Sequence, residues 1–269
     1  MRKLSAIVLS LLAGCNVGSD PPKGDEHPDA APVEVTGTIS ADTTWSGTMR
    51  FTGVTVIAPM VTVTVEPGTV LEFAQSAGIR VQGALFANGT SAGKIIGKAA
   101  DGATTWGPIA VDGTVRMTYA NFTGGSITTN GALANLEISD SKMFKASGDY
   151  IIMNGGSINM QYSQLGPDTG ETDTTHCNLH INSSTTVSIV RSNIAGAPFG
   201  VMFYGGVGSN FQLNNWYGAG TKDVDTMNGV EGNFSYGWFE RGAPTAGPGA
   251  MITADNLATE RLTQAGPRP

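Results

Sequence analysis

The stretch from Val54 to Leu85, VTVIAPMVTVTVEPGTVLEFAQSAGIRVQGAL, decides the fold. Val61, Val63 and Val65 alternate with Thr62 and Thr64, a period-two pattern of β-branched residues that suits an extended strand. Glu66-Pro67-Gly68 ends that strand, because proline has no N–H to give a ladder and glycine tolerates turn dihedrals. Leu71 and Phe73 restart the alternation, and Ile79, Val81 and Leu85 carry it past a second corner of small residues. Strand and corner in succession, with little helical periodicity, describe a chain winding around an axis.

The same pattern recurs downstream. Val115 to Phe122, Leu136 to Met143, Ile158 to Leu165 and Val187 to Ile194 share one order: apolar, any, apolar, any, any, small, any, apolar. Phe211 to Tyr217 is a fifth copy, one residue shorter, and the five starts lie 21, 22, 29 and 24 residues apart. Between them runs a second family of strands, Ile109/Val111, Ile151/Met153, Leu179/Ile181 and Val201/Phe203. Self-similarity at such a period means stacked supersecondary units, since one coil alone buries too little apolar surface to offset its ordering entropy. The pattern predicts an all-β chain folded as a parallel β-helix. The alternative is an antiparallel β-sandwich, for which Asn88-Gly89, Asp101-Gly102, Asp112-Gly113, Asn130-Gly131, Asn154-Gly155 and Asn228-Gly229 would be hairpin turns.

The chain opens with an address. Arg2-Lys3 and the apolar run Leu4 to Leu12 form a secretory leader, too short for a mature membrane span. The following Leu12-Ala13-Gly14-Cys15 resembles the bacterial lipobox, which implies lipidation of Cys15 as the mature N-terminus, and Asn16 behind it implies the outer membrane. We therefore divide the sequence into a lipoprotein signal peptide (1–14), a flexible tether from Cys15 (15–32), a parallel β-helix with an N-terminal cap (33–241) and a C-terminal loop, cap and tail (242–269). Pro-, Gly- and charge-rich composition makes the tether unable to fold, and His27 lies within it. Trp45 is expected to cap the first coil, Trp238 and Phe239 to cover the other end, Asn256 to Leu262 to form a short helix, and the tail from Thr263 to fray.

Charge narrows the partners. Losing Arg2 and Lys3 with the leader takes the formal balance from −7 to −9, and no Lys/Arg cluster is present, which excludes the electrostatic footprint of a nucleic-acid binder. With Cys15 lipidated only Cys177 remains, so neither an intrachain disulfide nor a cysteine metal cluster is expected.

The order VTVEPGTVLEF, IRVQGALFANGT and Trp106-Gly107-Pro108-Ile109 is similar to right-handed parallel β-helix (pectin-lyase-like) lipoproteins of environmental Gram-negative bacteria, myxobacteria among them. The likeness covers Val33 to Arg241 and implies a right-handed, single-stranded parallel β-helix. It implies no particular activity, because that superfamily holds lyases, hydrolases, epimerases and non-enzymes. Hydrolases of that kind need paired acids with a nearby His and a basic clamp, and no Asp-Asp pair, Gly-His-Gly or Arg-x-Lys occurs here. Lyases need clustered carboxylates and a Lys or Arg base; Asp223 and Asp225 lie two apart, and Lys222 adjoins them on the wrong parity.

The reading is a non-catalytic envelope lipoprotein without a cofactor, a rod offering its side to adhesion, structural or glycan interaction. Its partners are the membrane through its anchor and a polysaccharide or another envelope protein. A polysaccharide-active enzyme is the alternative. Tyr119 and Tyr162 occupy one repeat position, shared with Asp140 and Arg191, and are the candidate glycan contacts. Asn154, Asn182, Asn193 and Asn214 are expected to stack as an amide ladder at successive corners. The repeat stretches once, between Leu165 and Leu179, and that insertion gathers carboxylates beside two histidines. Candidate metal ligands there are His176, His180, Asp168, Glu171 and Asp173. In a straight strand the two histidines would lie about 13 Å apart at ~3.3 Å per residue, so a shared ion requires the chain to turn at Thr175 or His176. A solvated acidic loop is the competing reading, with Cys177 turned inward as a small hydrophobe.

Overall fold

The computed structural model describes residues 31–146, 148–168 and 176–269. The leader, Cys15, the tether up to residue 30, Glu171 and Asp173 lie outside the described residues. The described body from Ala31 onward is one compact unit, and its strands stack as a parallel β-solenoid. Three strands make one coil. Thr114–Thr118, Ala120–Thr123 and Ile127–Asn130 form one such coil, and Asn135–Ser139, Lys142–Phe144 and Ile151–Asn154 lie directly on it. The first face of the solenoid is a ten-strand ladder from Thr43–Trp45 to Met251–Thr253, and the second and third faces join into one seventeen-stranded sheet. Ten strands make nine steps, about 43 Å at ~4.8 Å each.

All pairings among the described strands are parallel, which overturns the sandwich alternative. The Asn-Gly and Asp-Gly pairs end strands or sit at coil corners instead. The glycines of four of them, Gly102, Gly131, Gly155 and Gly229, take positive φ there.

Register follows the repeat. Val115, Leu136, Ile158 and Val187 lie opposite one another in consecutive strands, as do Met117, Ile138, Met160 and Ile189, and all eight are buried. The core therefore consists of apolar columns running along the axis. An aromatic column fills the N-terminal half, with Phe51 stacked on Phe73 at 4.6 Å and Phe73 on Trp106 at 4.0 Å. Trp45, buried and edge-on to Phe51 at 5.3 Å, is the first ring of this column, on the first strand of the ten-strand ladder. At the other end Phe239 stacks on Trp216 at 5.6 Å.

The corner between the first and second faces is built around a single left-handed residue. Tyr119, Asp140, Tyr162, Arg191, Leu213 and Tyr236 occupy it in successive coils, with φ between 47 and 61°. Beneath them a relay of side chains receives the corner amides. Ala120 N–H donates to Ser141 Oγ (3.0 Å), Ser141 N–H to Ser163 Oγ (3.3 Å), Ser163 N–H to Ser192 Oγ (3.2 Å) and Ser192 N–H to Asn214 Oδ1 (2.8 Å). The asparagines do not form one ladder. Asn214 belongs to this relay, Asn193 pairs with Gln164 and Asn215, and Asn182 pairs with Asn154 at a third corner.

The tail departs furthest from expectation. No helix forms at 256–262, and the chain after the last strand runs back along the column of left-handed corners. Ala258 N–H donates to Gly237, Leu262 exchanges both backbone groups with the Asn215 side-chain amide, and Gly266 N–H reaches Arg191. Arg268 then grips the buried Asp140 carboxylate with Nε and Nη2, each at 2.7 Å, and lies 4.1 Å over the Tyr162 ring. These contacts hold the segment that composition alone would leave free.

Arg268→Ala should therefore cost about 1–2 kcal/mol, reduced from a fully buried charged pair because the guanidinium is half exposed. Thermal unfolding should fall by roughly 2–8 °C, and amide exchange should accelerate at Gly266. An unchanged melting temperature would show that the strap adds nothing to the body.

Candidate functional site

The corner between the second and third faces is where the coils differ in length. It takes three residues between Thr123 and Ile127, six between Phe144 and Ile151, and eleven between Leu165 and Cys177. Asp149 is the last residue but one of the second of these corners, and His176 is the last of the third. Because Ile151 pairs with Leu179 in the ladder above it, both residues reach the same place on the third face. His180 projects from the Cys177–Ser183 strand beside them, in register with Ile152.

The three side chains meet. His176 Nδ1 lies 3.0 Å from Asp149 Oδ1, and His180 Nδ1 lies 2.8 Å from Asp149 Oδ2. One donor atom from each residue falls within 4.8 Å of the other two. With a proton on each Nδ1 both rings donate to the carboxylate, leaving Nε2 of each as an acceptor. The Asp149 side chain is only 11% exposed, His180 is 20% and His176 52% exposed, so the cluster has a closed floor and an open rim. Phe199 meets the His176 ring edge-on at 5.6 Å, and Tyr204 does the same to His180 at 5.6 Å. Tyr204 OH donates to Asp225 Oδ2, whose other oxygen accepts from Lys222. Burial first, then Asp225, pushes the Tyr204 phenol up to about 12. Cys177 is fully buried, and burial, followed by the nearby Asp149 carboxylate, drives its thiol well above the ordinary range.

Of the residues proposed from sequence as metal ligands, His176 and His180 come together. Their ring centroids are 6.2 Å apart, because the chain bends at His176. Asp168 goes elsewhere: Lys142 Nζ and Gln164 Nε2 hydrogen-bond its carboxylate and hold it below the usual carboxylate range. Asp149 was not among the candidates. The interval from Leu136 to Ile158 is an ordinary 22 residues, since the long corner at 145–150 is compensated by a two-residue corner at 155–156. Tyr119 and Tyr162 both face the tail: Tyr119 OH donates to the Pro269 carbonyl at 3.4 Å, and Tyr162 lies beneath Arg268.

Asp223 and Asp225 have opposite fates. Asp225 is partly buried, which resists ionisation, but Lys222 and Tyr204 outweigh this and keep it below the usual range. Asp223 is 6% exposed, and burial pushes its carboxyl up to about 6, against the opposing pull of Arg241. No protein-family model, curated protein or solved structure matches the chain.

Asp223 is predicted to make the fold pH-dependent. Its folded pKa is raised, so the proton is held more tightly in the native state. The resulting stability is full below about pH 4 and is lost as pH rises through about 6. Asp223→Asn should raise stability at neutral pH by ~1–3 kcal/mol and flatten the acid-to-neutral profile in denaturant unfolding. A neutral-pH loss on substitution would show that the charged form is the stabilised one.

Proposed function

We propose that the protein is a non-catalytic rod of the bacterial cell envelope, anchored at the outer membrane through a lipidated Cys15 and offering its sheet faces to adhesion, structural or glycan contacts. On this reading it is a lipoprotein of the pectin-lyase-like kind, supported by the motif order from VTVEPGTVLEF to Trp106-Gly107-Pro108-Ile109. The supporting observation in the fold is the pairing of outward carboxylates with cations across coils. Glu72 binds Arg50 (2.8 Å) and Lys98 (3.2 Å), Glu137 binds Arg116 (2.7 Å), Asp112 binds Arg80 (2.6 Å) and Asp168 binds Lys142 (2.8 Å). The Arg50 and Arg116 hydrogen bonds hold Glu72 and Glu137 below the ordinary carboxylate range. Glycoside cleavage needs one carboxyl kept protonated opposite an ionised partner. These ion pairs keep both members ionised and suit a structural ladder, and the carboxyl that is raised instead, Asp223 beside the ionised Asp225, is buried and only 6% exposed.

Beside them the first face presents an even, polar surface. Arg116, Glu137 and Asn159 stand in one column, Thr118, Ser139 and Gln161 in the next, and together they line a shallow trough of about 220 Å³. Such a surface suits an extended hydroxyl-rich chain better than a compact ligand, and Tyr119 and Tyr162 border it at the corner beside Thr118 and Gln161.

Two measurements test this. Metabolic labelling with a fatty acid should mark the wild type and fail in Cys15→Ser, which should also leave the membrane fraction. Incubation with acidic and neutral polysaccharides should release neither reducing ends nor unsaturated products. Product release that is lost in Asp225→Asn would establish the enzyme alternative instead.

A further inference from the structure

We propose that Asp149, His176 and His180 form a binding site for one divalent transition-metal ion of the zinc, copper or nickel class, with an open coordination position toward solvent. This goes beyond the anchored-rod reading and does not depend on it.

Four observations carry it. The donor set is two imidazoles and one carboxylate, the composition that borderline metals prefer; calcium and magnesium take oxygen ligands. The donors lie within 4.8 Å of one another. Bonds of ~2.0–2.2 Å at tetrahedral angles place ligand atoms about 3.4 Å apart, so the two contacts at 3.0 and 2.8 Å must open by about half an ångström. The half-exposed His176 can supply that movement by side-chain rotation. Next, Asp149 differs from the carboxylates that the cations of the sheet faces neutralise. Glu72, Asp112, Glu137, Asp168 and Asp225 are matched by Lys or Arg, whereas the ion-pair partners of Asp149 among the described residues are the two imidazoles. A nearly buried carboxylate without a lysine or arginine leaves negative charge that a cation would complement. Finally, Tyr204 meets the part-buried His180 ring edge-on and Phe199 does the same to His176, so His180 is the constrained ligand and His176 the adjustable one.

The proton balance is simple. A neutral ring that gives up Nδ1 to the metal carries its proton on Nε2, and a charged ring releases one proton to solvent. Affinity therefore falls as the imidazoles become protonated. Cys177 is not a ligand, because its buried sulfur lies outside the set of converging donors.

Untagged full-length protein in detergent, stripped with chelator, would be titrated calorimetrically with Zn²⁺, Cu²⁺ and Ni²⁺, and with Ca²⁺ and Mg²⁺. The expected result is one transition-metal ion per chain, weakened at least tenfold by His180→Ala and by Asp149→Asn, with no competition from Ca²⁺. His176→Gln, at the exposed rim, provides a variant whose folding is not in doubt and should lose affinity to a similar extent. Circular dichroism checks that each variant keeps its β-sheet signal. Absence of heat with all three transition metals, heat unchanged in His176→Gln, or preference for Ca²⁺ would each overturn the site. A null titration leaves the anchored rod to its own labelling and turnover assays.

Discussion

The structure depends on the way one tight corner passes its hydrogen bonds to the next coil. A chain that turns from the first face to the second through a single left-handed residue points the following N–H toward the axis, where no water reaches it and no group of its own coil can accept. A buried donor left in that state costs about 1–3 kcal/mol. The hydroxyls of Ser141, Ser163 and Ser192 and the amide of Asn214 each accept from the coil before, and the three hydroxyls donate on to Ser139, Gln161 and Val190 carbonyls. That relay fixes the register, because a slip of one residue would carry every inward valine, leucine and isoleucine to the solvent side. The small residue in each repeat is thus a hydrogen-bonding part of the corner as well as a space-saving one.

The left-handed corner residues explain why the tail is ordered. Glycine would adopt that conformation without strain, and a side chain there costs roughly 1–2 kcal/mol. Tyr119, Asp140 and Tyr162 nevertheless hold the position, and all three engage residues 268–269. Their projection from the corner offsets the local strain by giving the returning chain a surface to bind. Gly266 is required for the opposite reason: a Cβ on it would lie 2.4 Å from Asn193 Nδ2.

The repeat was legible because the cross-section of the coil dictates it. Three strands and three corners consume a nearly constant length, and the inward positions must be apolar in every turn. Val115, Leu136, Ile158 and Val187 could therefore be aligned by eye before any register was known. The tail was not legible, since the partners of its last two residues stand 128 to 150 residues upstream, and a run of Gly, Pro and Arg looks the same whether free or strapped down. The asparagines misled for a related reason. Sequence showed that they recur near strand ends, but three different corners recur at the same period, and only stacking distinguishes them.

Asp149 shows where the repeat becomes a poor guide. Spacing between repeats reports the sum of three corners, so one corner can lengthen unnoticed while another shortens. The same stacking then does what local sequence cannot. Residues near the end of the same corner in successive coils are set about one ladder step apart, roughly 4.8 Å, which brings Asp149 and His176 together although they are 27 residues apart in the chain. The distance between His176 and His180 is likewise not that of an extended strand. The ladder holds Leu179 over Ile151 and the Cys177 carbonyl on the Tyr150 amide, and the chain bends at His176, which turns its ring back toward Asp149. The geometry of the cluster is therefore set largely by the rigid sheet beneath it, which is the condition under which two imidazoles and a carboxylate become a preorganised donor set.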